Sequence, residues 1–272
     1  MRAASIAPSI AVAAAVTAGL LLSSPAARAY DPNAIWKIVN GKCVPNQQAH
    51  GDPKPCAEVD LKNGVAHGYA VLKDLHGPTQ YLLIPTRRIV GIESPELLAP
   101  DAANYFADAW NARSFVEKTL GQALPIDALS LAVNSKLART QNQLHIHIDC
   151  IRADVRATLS KLRTTISYAW TPLAEPVGGH GYWAMRVMGP SLAGHDPFKL
   201  LAEGVAGASD DMQLRTLVVV GMRFENGAPG FVILQDRVDL LRFNFAAGAR
   251  LQDHDCALAR DKARPVDAAG AR

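Results

Sequence analysis

The chain reads as an α+β fold, an antiparallel sheet with packed helices, and three observations predict it. A hairpin opens the ordered part: residues 69–73 and 80–85 are short apolar runs separated by His76-Gly77-Pro78. Two longer stretches space their apolar residues at the helical period, and residues 143–150 alternate polar and apolar at the strand period. The order of hairpin, helix, strands, helix, strands is that of an antiparallel sheet rather than of βαβ units.

The first 29 residues are expected to lie outside that fold. Arg2, an apolar stretch over residues 7–22 and Ala27-Arg28-Ala29 match the charged start, apolar middle and small-x-small end of an export signal. The same stretch also approaches the ~18 apolar residues of a membrane anchor. Residues 30–272 are then a single catalytic-sized domain, exported and either free in the periplasm or anchored at the inner membrane facing it. Lys and Arg number 28 against 25 Asp and Glu, so the overall field argues for no nucleic-acid partner. Four cysteines in an exported chain suggest two disulfides. The favoured pairings are Cys43–Cys56, closing a Pro/Asn/Gln-rich loop, and Cys150–Cys256, tying the C-terminal tail to the alternating strand. No C-x-x-C pair points to zinc.

Along the chain, Pro100-Asp101 is expected to open a helix with Asp101 as N-cap. Tyr105, Ala109, Ala112, Val116 and Leu120 form its apolar stripe, and Gly121 its end. Residues 128–134 and 144–151 read as strands, and residues 154–170 as a helix with Val155, Leu159, Leu162 and Ile166 on one face. Strands follow at 182–188, 216–224 and 230–235, the last two joined by the hairpin signal Asn226-Gly227. The four tryptophans sit at element ends or on apolar faces, which places them in the core.

The alternating strand carries the chemistry. Gln143, His145, His147 and Asp149 share one face and are expected to point outward, while Leu144, Ile146, Ile148 and Cys150 face the core. Two imidazoles in a row can supply a nucleophile and a proton carrier, or two ligands to a metal. A plain solvent-facing strand has no need of them.

Strand, helix, strand ending at Asn134 and then His-x-His resembles the histidine triad superfamily. More of the chain resembles one branch of it, the CDP-diacylglycerol pyrophosphatases. The matching stretches include Cys43-Val44-Pro45-Asn46-Gln47-Gln48, Tyr69-Ala70-Val71-Leu72-Lys73-Asp74-Leu75 and Gln80-Tyr81-Leu82-Leu83-Ile84-Pro85-Thr86. They continue through Ser130-Leu131-Ala132-Val133-Asn134-Ser135, Arg139-Thr140-Gln141-Asn142 and His145-Ile146-His147-Ile148-Asp149-Cys150. The triad here is incomplete: read over 143, 145 and 147 its first position is Gln143, and read over 145, 147 and 149 its third is Asp149. The first register is preferred, because it puts Thr140 three residues before the triad.

The resemblance implies a HIT-like sheet, extended by additional strands and a helix. It also implies hydrolysis of CDP-diacylglycerol to CMP and phosphatidate, with no cofactor, by a histidine nucleophile. His145 and His147 are then the catalytic residues, His145 attacking and His147 donating a proton. Asn134, Arg139, Thr140, Gln141, Gln143 and Asp149 are expected to contact substrate. The lipid substrate implies contact with a membrane surface. Two alternatives remain open: a metal-dependent phosphoesterase using His145, His147 and Asp149 as ligands, and a nucleotide-lipid binder without catalysis. Arg87 and Arg88 are either a phosphate clamp or a solvated loop, and His180 and His195 read as surface residues. His50, His67, His76 and His254 read as structural or exposed.

Overall fold

The computed structural model describes residues 30–260. The expected export segment, residues 1–29, lies outside the described residues. Ten strands make one sheet: β1 (Glu58–Asp60), β2 (Tyr69–Lys73), β3 (Tyr81–Pro85), β4 (Leu129–Val133), β5 (Ile146–Ile151), β6 (Thr171–Pro172), β7 (Trp183–Met188), β8 (Arg215–Arg223), β9 (Pro229–Arg237) and β10 (Gln252–Asp253). Every pairing is antiparallel. The order is β1-β2-β3-β5-β4-β8-β9-β7-β6, with β10 paired to β5. With its helices this is the expected α+β class.

The helices are α1 (Ala34–Ile38) and α2 (Val44–His50), joined by a π-helical turn, then α3 (Tyr105–Ala112), α4 (Ser114–Leu120), α5 (Ala153–Leu162), α6 (Pro197–Gly204) and α7 (Ala208–Asp211). The helix expected over residues 100–121 starts later and is broken. Asn104, not Asp101, caps it by accepting from the Ala107 amide at 3.0 Å, and the axis breaks at Arg113. Gly121 ends it at φ +67°, as expected. The helix expected over 154–170 stops at Leu162, where the Thr165 hydroxyl takes the Leu162 carbonyl at 2.8 Å and competes with continuation. Between Cys43 and Cys56 the expected loop instead contains α2, opened by a proline in its first turn and closed by Gly51 at φ +66°. Both favoured disulfides are present, Cys43–Cys56 and Cys150–Cys256. Trp110 and Trp170 are buried, whereas Trp183, expected in the core, is exposed on β7.

The two sheet faces are covered differently, and this positions the site. On one face Ile146, Ile148 and Cys150 pack with Phe106, Trp110, Phe198 and Phe231 in a large apolar cluster under α3, α4 and α6. On the other face there are two separate clusters. Leu82 and Ile84 pack under α1 and α2, while Ala132, Val218 and Val220 pack under α5 and Leu251. His147 stands in register between Leu82 and Ala132, one from each cluster. The polar row of β5 therefore runs along the seam between two apolar covers.

Candidate active site

The polar row does not face open solvent. Gln143 and Asp149 are fully buried, His145 is 7 % exposed, and His147 is half-buried with both ring nitrogens covered. The expectation of an outward face fails for a reason of long range. The N-terminal helices cover β2 and β3, and the C-terminal segment folds back so that β10 takes the place beside β5 beyond its pairing with β3.

Each buried side chain then has a definite partner. The Gln143 amide donates to the carbonyls of Pro85 (3.1 Å) and Arg87 (2.9 Å) and accepts from the Ile89 amide at 3.4 Å, so it stitches the end of β3 to the approach to β5. Its backbone carbonyl does more, standing 2.7 Å from His145 Nδ1. A carbonyl only accepts, so Nδ1 carries the proton and Nε2 carries the lone pair. Burial pushes the His145 imidazole below the ordinary histidine range, which keeps it neutral at physiological pH.

The ring of His147 lies edge-on to that of His145, with centroids 4.9 Å apart. Both its nitrogens are buried and neither has a hydrogen-bond partner among the described residues. Burial, then the fields of His145, His254 and His76, push this imidazole far below the usual range. Two buried ring nitrogens without partners cost stability, which makes His147 a candidate for a functional contact.

Asp149 does not reach the open side of the site. Its Oδ1 accepts from the Cys150 amide at 2.8 Å and stands 2.7 Å from the Thr79 hydroxyl, and its Oδ2 stands 2.7 Å from His254 Nδ1. The hydrogen bond that His254 donates to Asp149 raises its pKa above the ordinary histidine value. His254 is the residue the sequence left unassigned. Its own surroundings in sequence carry no sign of a role. The available signal was Cys256, two residues on, because pairing it with Cys150 brings the tail against Asp149.

The remaining expected contacts divide. Asn134 accepts from the Ala249 amide at 3.0 Å through Oδ1, leaving Nδ2 free among the described residues beside His145. Arg139 lines the recess with His145, but its guanidinium is committed to Glu93 through two bonds of 2.6 Å. Burial works to raise the Glu93 carboxyl, but Arg139 overrides it and holds the group below the usual range. Gln141 pins the N-terminal segment, donating to the Asp31 carbonyl and accepting from the Ile35 amide. Thr140 is exposed. Arg88 is a structural link, bonded to Asn33 and lying 5.3 Å over the Trp36 ring. His180 lines a second, separate cavity with Asp236 and Arg242.

A cleft of about 500 Å³ opens beside this row, lined by Asn134, Leu137, Phe245, Arg250, Gln252 and His254, among others. Asn134 joins it to the small recess that contains His145. The arrangement sets a neutral imidazole, His145, in a recess that adjoins the cleft lined by the carboxylate-backed His254, with the unsatisfied His147 edge-on to His145. A family model described as CDP-diacylglycerol pyrophosphatase matches residues 30–260. The chain belongs to that family. It is a hydrolase acting on a diphosphate bond, and the family's substrate is CDP-diacylglycerol.

For a pyrophosphatase the choice between a metal and a nucleophile bears on Asp149. Among the described residues, no three His, Cys, Asp or Glu side chains stand together as a metal site. The set of His145, His147 and Asp149 that alternation suggests is not assembled, because Asp149 spends both oxygens on Thr79, Cys150 and His254. Asp149 holds the His254 imidazole at 2.7 Å instead.

Proposed function

We propose that this pyrophosphatase cleaves CDP-diacylglycerol by attack of His145 Nε2 on the CMP phosphorus. The observation that carries the reading is the 2.7 Å contact of His145 Nδ1 with the Gln143 carbonyl. It fixes the tautomer that leaves Nε2 nucleophilic, and the carbonyl then stabilises the positive ring that forms once nitrogen bonds phosphorus. The P–O bond to the bridging oxygen breaks as the N–P bond forms, and the leaving phosphatidate takes a proton. His254 is the donor suited to this step, since Asp149 raises its pKa and so favours its protonated form, and it lines the cleft. Water then attacks the nucleotidyl-imidazole, gives its proton to the now neutral His254, and releases CMP.

His147, too weak a base to carry a proton at neutral pH, still has one N–H to give to a phosphoryl oxygen. Asn134 Nδ2 is placed for a second such donation. Thr140 and Arg139 are assigned no direct part. In the preferred triad register Gln143 holds the place of the missing imidazole, and the Asp149–His254 pair stands outside the triad. Residues 1–29 acting as an export signal or anchor would deliver the chain to the periplasmic side of the inner membrane, an oxidising setting that suits its two disulfides.

The test is intact-protein mass spectrometry after acid-free quenching of a brief incubation with CDP-diacylglycerol. The wild-type protein should carry a CMP adduct, and His145→Ala should carry none. An adduct that survives in His145→Ala and disappears in His147→Ala would overturn the assignment.

A further inference from the structure

The segment that walls the cleft begins in a loop whose outer surface is apolar. Leu240 is 59 % exposed, Leu241 95 % and Phe243 81 %, so almost nothing in the molecule packs against them. Phe245 and Leu137 continue the patch onto the rim of the cleft. Their adjacency is fixed by Ser135, whose hydroxyl donates to the Phe245 carbonyl and whose amide donates to the Ala246 carbonyl.

The loop is held rigidly. Asp239 and Asn244 exchange two backbone hydrogen bonds of 2.9 Å, and the Asp239 carboxylate caps the amides of Leu241 and Arg242. The Asn244 amide is in turn bonded to Asp236 at 2.7 Å. Inside this frame Phe243 is held at φ +52°, a conformation that a bulky residue adopts at a cost and that Gly or Asn takes freely. A loop that only had to turn would use those residues. This one keeps a strained phenylalanine and two leucines in water.

We propose that the loop of residues 240–243 inserts into the lipid bilayer and sets the cleft against the membrane surface. Three features choose a bilayer over other apolar partners. The tip lies two residues from Phe245 on the rim of the cleft, so a diacylglycerol nucleotide could enter with its acyl chains still in lipid. The apolar residues form a short protruding tip rather than the flat, extensive surface of a stable protein interface. Arg242, set among them and highly exposed, forms an exposed 3.5 Å ion pair with Asp239 that anionic headgroups can replace while its stem follows the apolar side chains down. The proposal rests on a lipid substrate, and hence on the function proposed above.

The test uses the full chain and reads the loop itself, which keeps it independent of any N-terminal tether. Leu241→Cys, labelled with an environment-sensitive fluorophore, is mixed with vesicles of phosphatidylethanolamine and phosphatidylglycerol that hold no substrate. The label should move to an apolar environment. The double variant Leu241→Glu/Phe243→Glu should lose at least about tenfold in activity on vesicle-borne CDP-diacylglycerol, the scale expected when two large side chains no longer leave water. It should keep its activity on a water-soluble short-chain analogue. A label that stays in water when the protein sediments with vesicles would overturn the proposal, as would equal losses on both substrates. A label already apolar in solution, and diluting out, would assign the patch to a second copy of the chain instead. If wild-type protein cleaves neither substrate the catalytic reading fails, while the label still decides the loop.

Discussion

Asp149 and His254 are separated by 105 residues in sequence and by 2.7 Å in space. The carboxylate is wholly buried on β5 and the imidazole lines the cleft, so the pair links a buried side chain to the cleft wall. Asp149 thus reaches the cleft only by way of another residue, which is why its alternation with His145 and His147 misleads when read as a row of equivalent ligands.

The first prediction follows from this pairing. His254→Gln should lower kcat about 10²-fold or more, the usual scale for losing a general acid, with a smaller change in KM. Asp149→Asn should reduce kcat by less, and adding it to His254→Gln should change little, because the two act as a unit. Additive losses in the double variant would show that Asp149 has a separate function.

The second prediction concerns pH. His145 must be neutral, and burial lowers its pKa, so the acid limb of kcat/KM should lie below the ordinary histidine value of ~6.5. His254 must be protonated to donate, and Asp149 raises its pKa, so the basic limb should lie above that value. Activity is therefore expected to form a broad plateau across neutrality, falling on either side. His254→Gln should remove the basic limb and leave the acid limb in place; a basic limb that persists in that variant would refute the assignment.

How far the site could be read from the sequence depends on the range of the interactions that build it. Alternation over residues 143–150 identifies β5 and its two faces, because a strand's period of two is local. The hairpin at Asn226-Gly227 was equally legible, and both residues do take positive φ, 57° and 74°. Local pattern could not tell whether the polar face of β5 looks at water or at protein. That is decided by α1, α2 and the tail, elements more than ninety residues away on either side. For the same reason the committed bonds of Gln143 and Arg139 were invisible: a side chain's type shows what it can bond, not what has already claimed it. His254 fell outside every local pattern and was reachable only through the disulfide.

The third prediction separates the nucleophile from metal chemistry. Prolonged dialysis against a chelator, followed by assay in chelator, should leave the rate and the shape of the pH profile unchanged. A zinc-hydroxide mechanism would instead lose activity, regain it with added zinc, and make Asp149→Ala as harmful as His147→Ala.

The fourth prediction concerns the disulfide that places the tail. Cys150 is buried on the apolar face of β5, one residue after Asp149, and Cys256 follows His254 by two. The bond thus fixes the tail where Asp149 can reach the imidazole, supported by the pairing of Asp253 with Cys150 and by Gly77, which packs against His254. It closes a separation of 106 residues, for which the chain-entropy model gives ~4–5 kcal/mol as an upper figure. Cys150→Ala/Cys256→Ala should therefore melt at a lower temperature. It should also lose activity at temperatures where circular dichroism shows it fully folded, because β10 alone is two residues long. The bond between Cys43 and Cys56 lies under the other cover, so its removal should lower stability and leave kcat of the folded protein nearly unchanged. Equal effects of the two disulfides on kcat would mean that the tail is held by packing alone, and that His254 does not depend on Cys256 for its place beside Asp149.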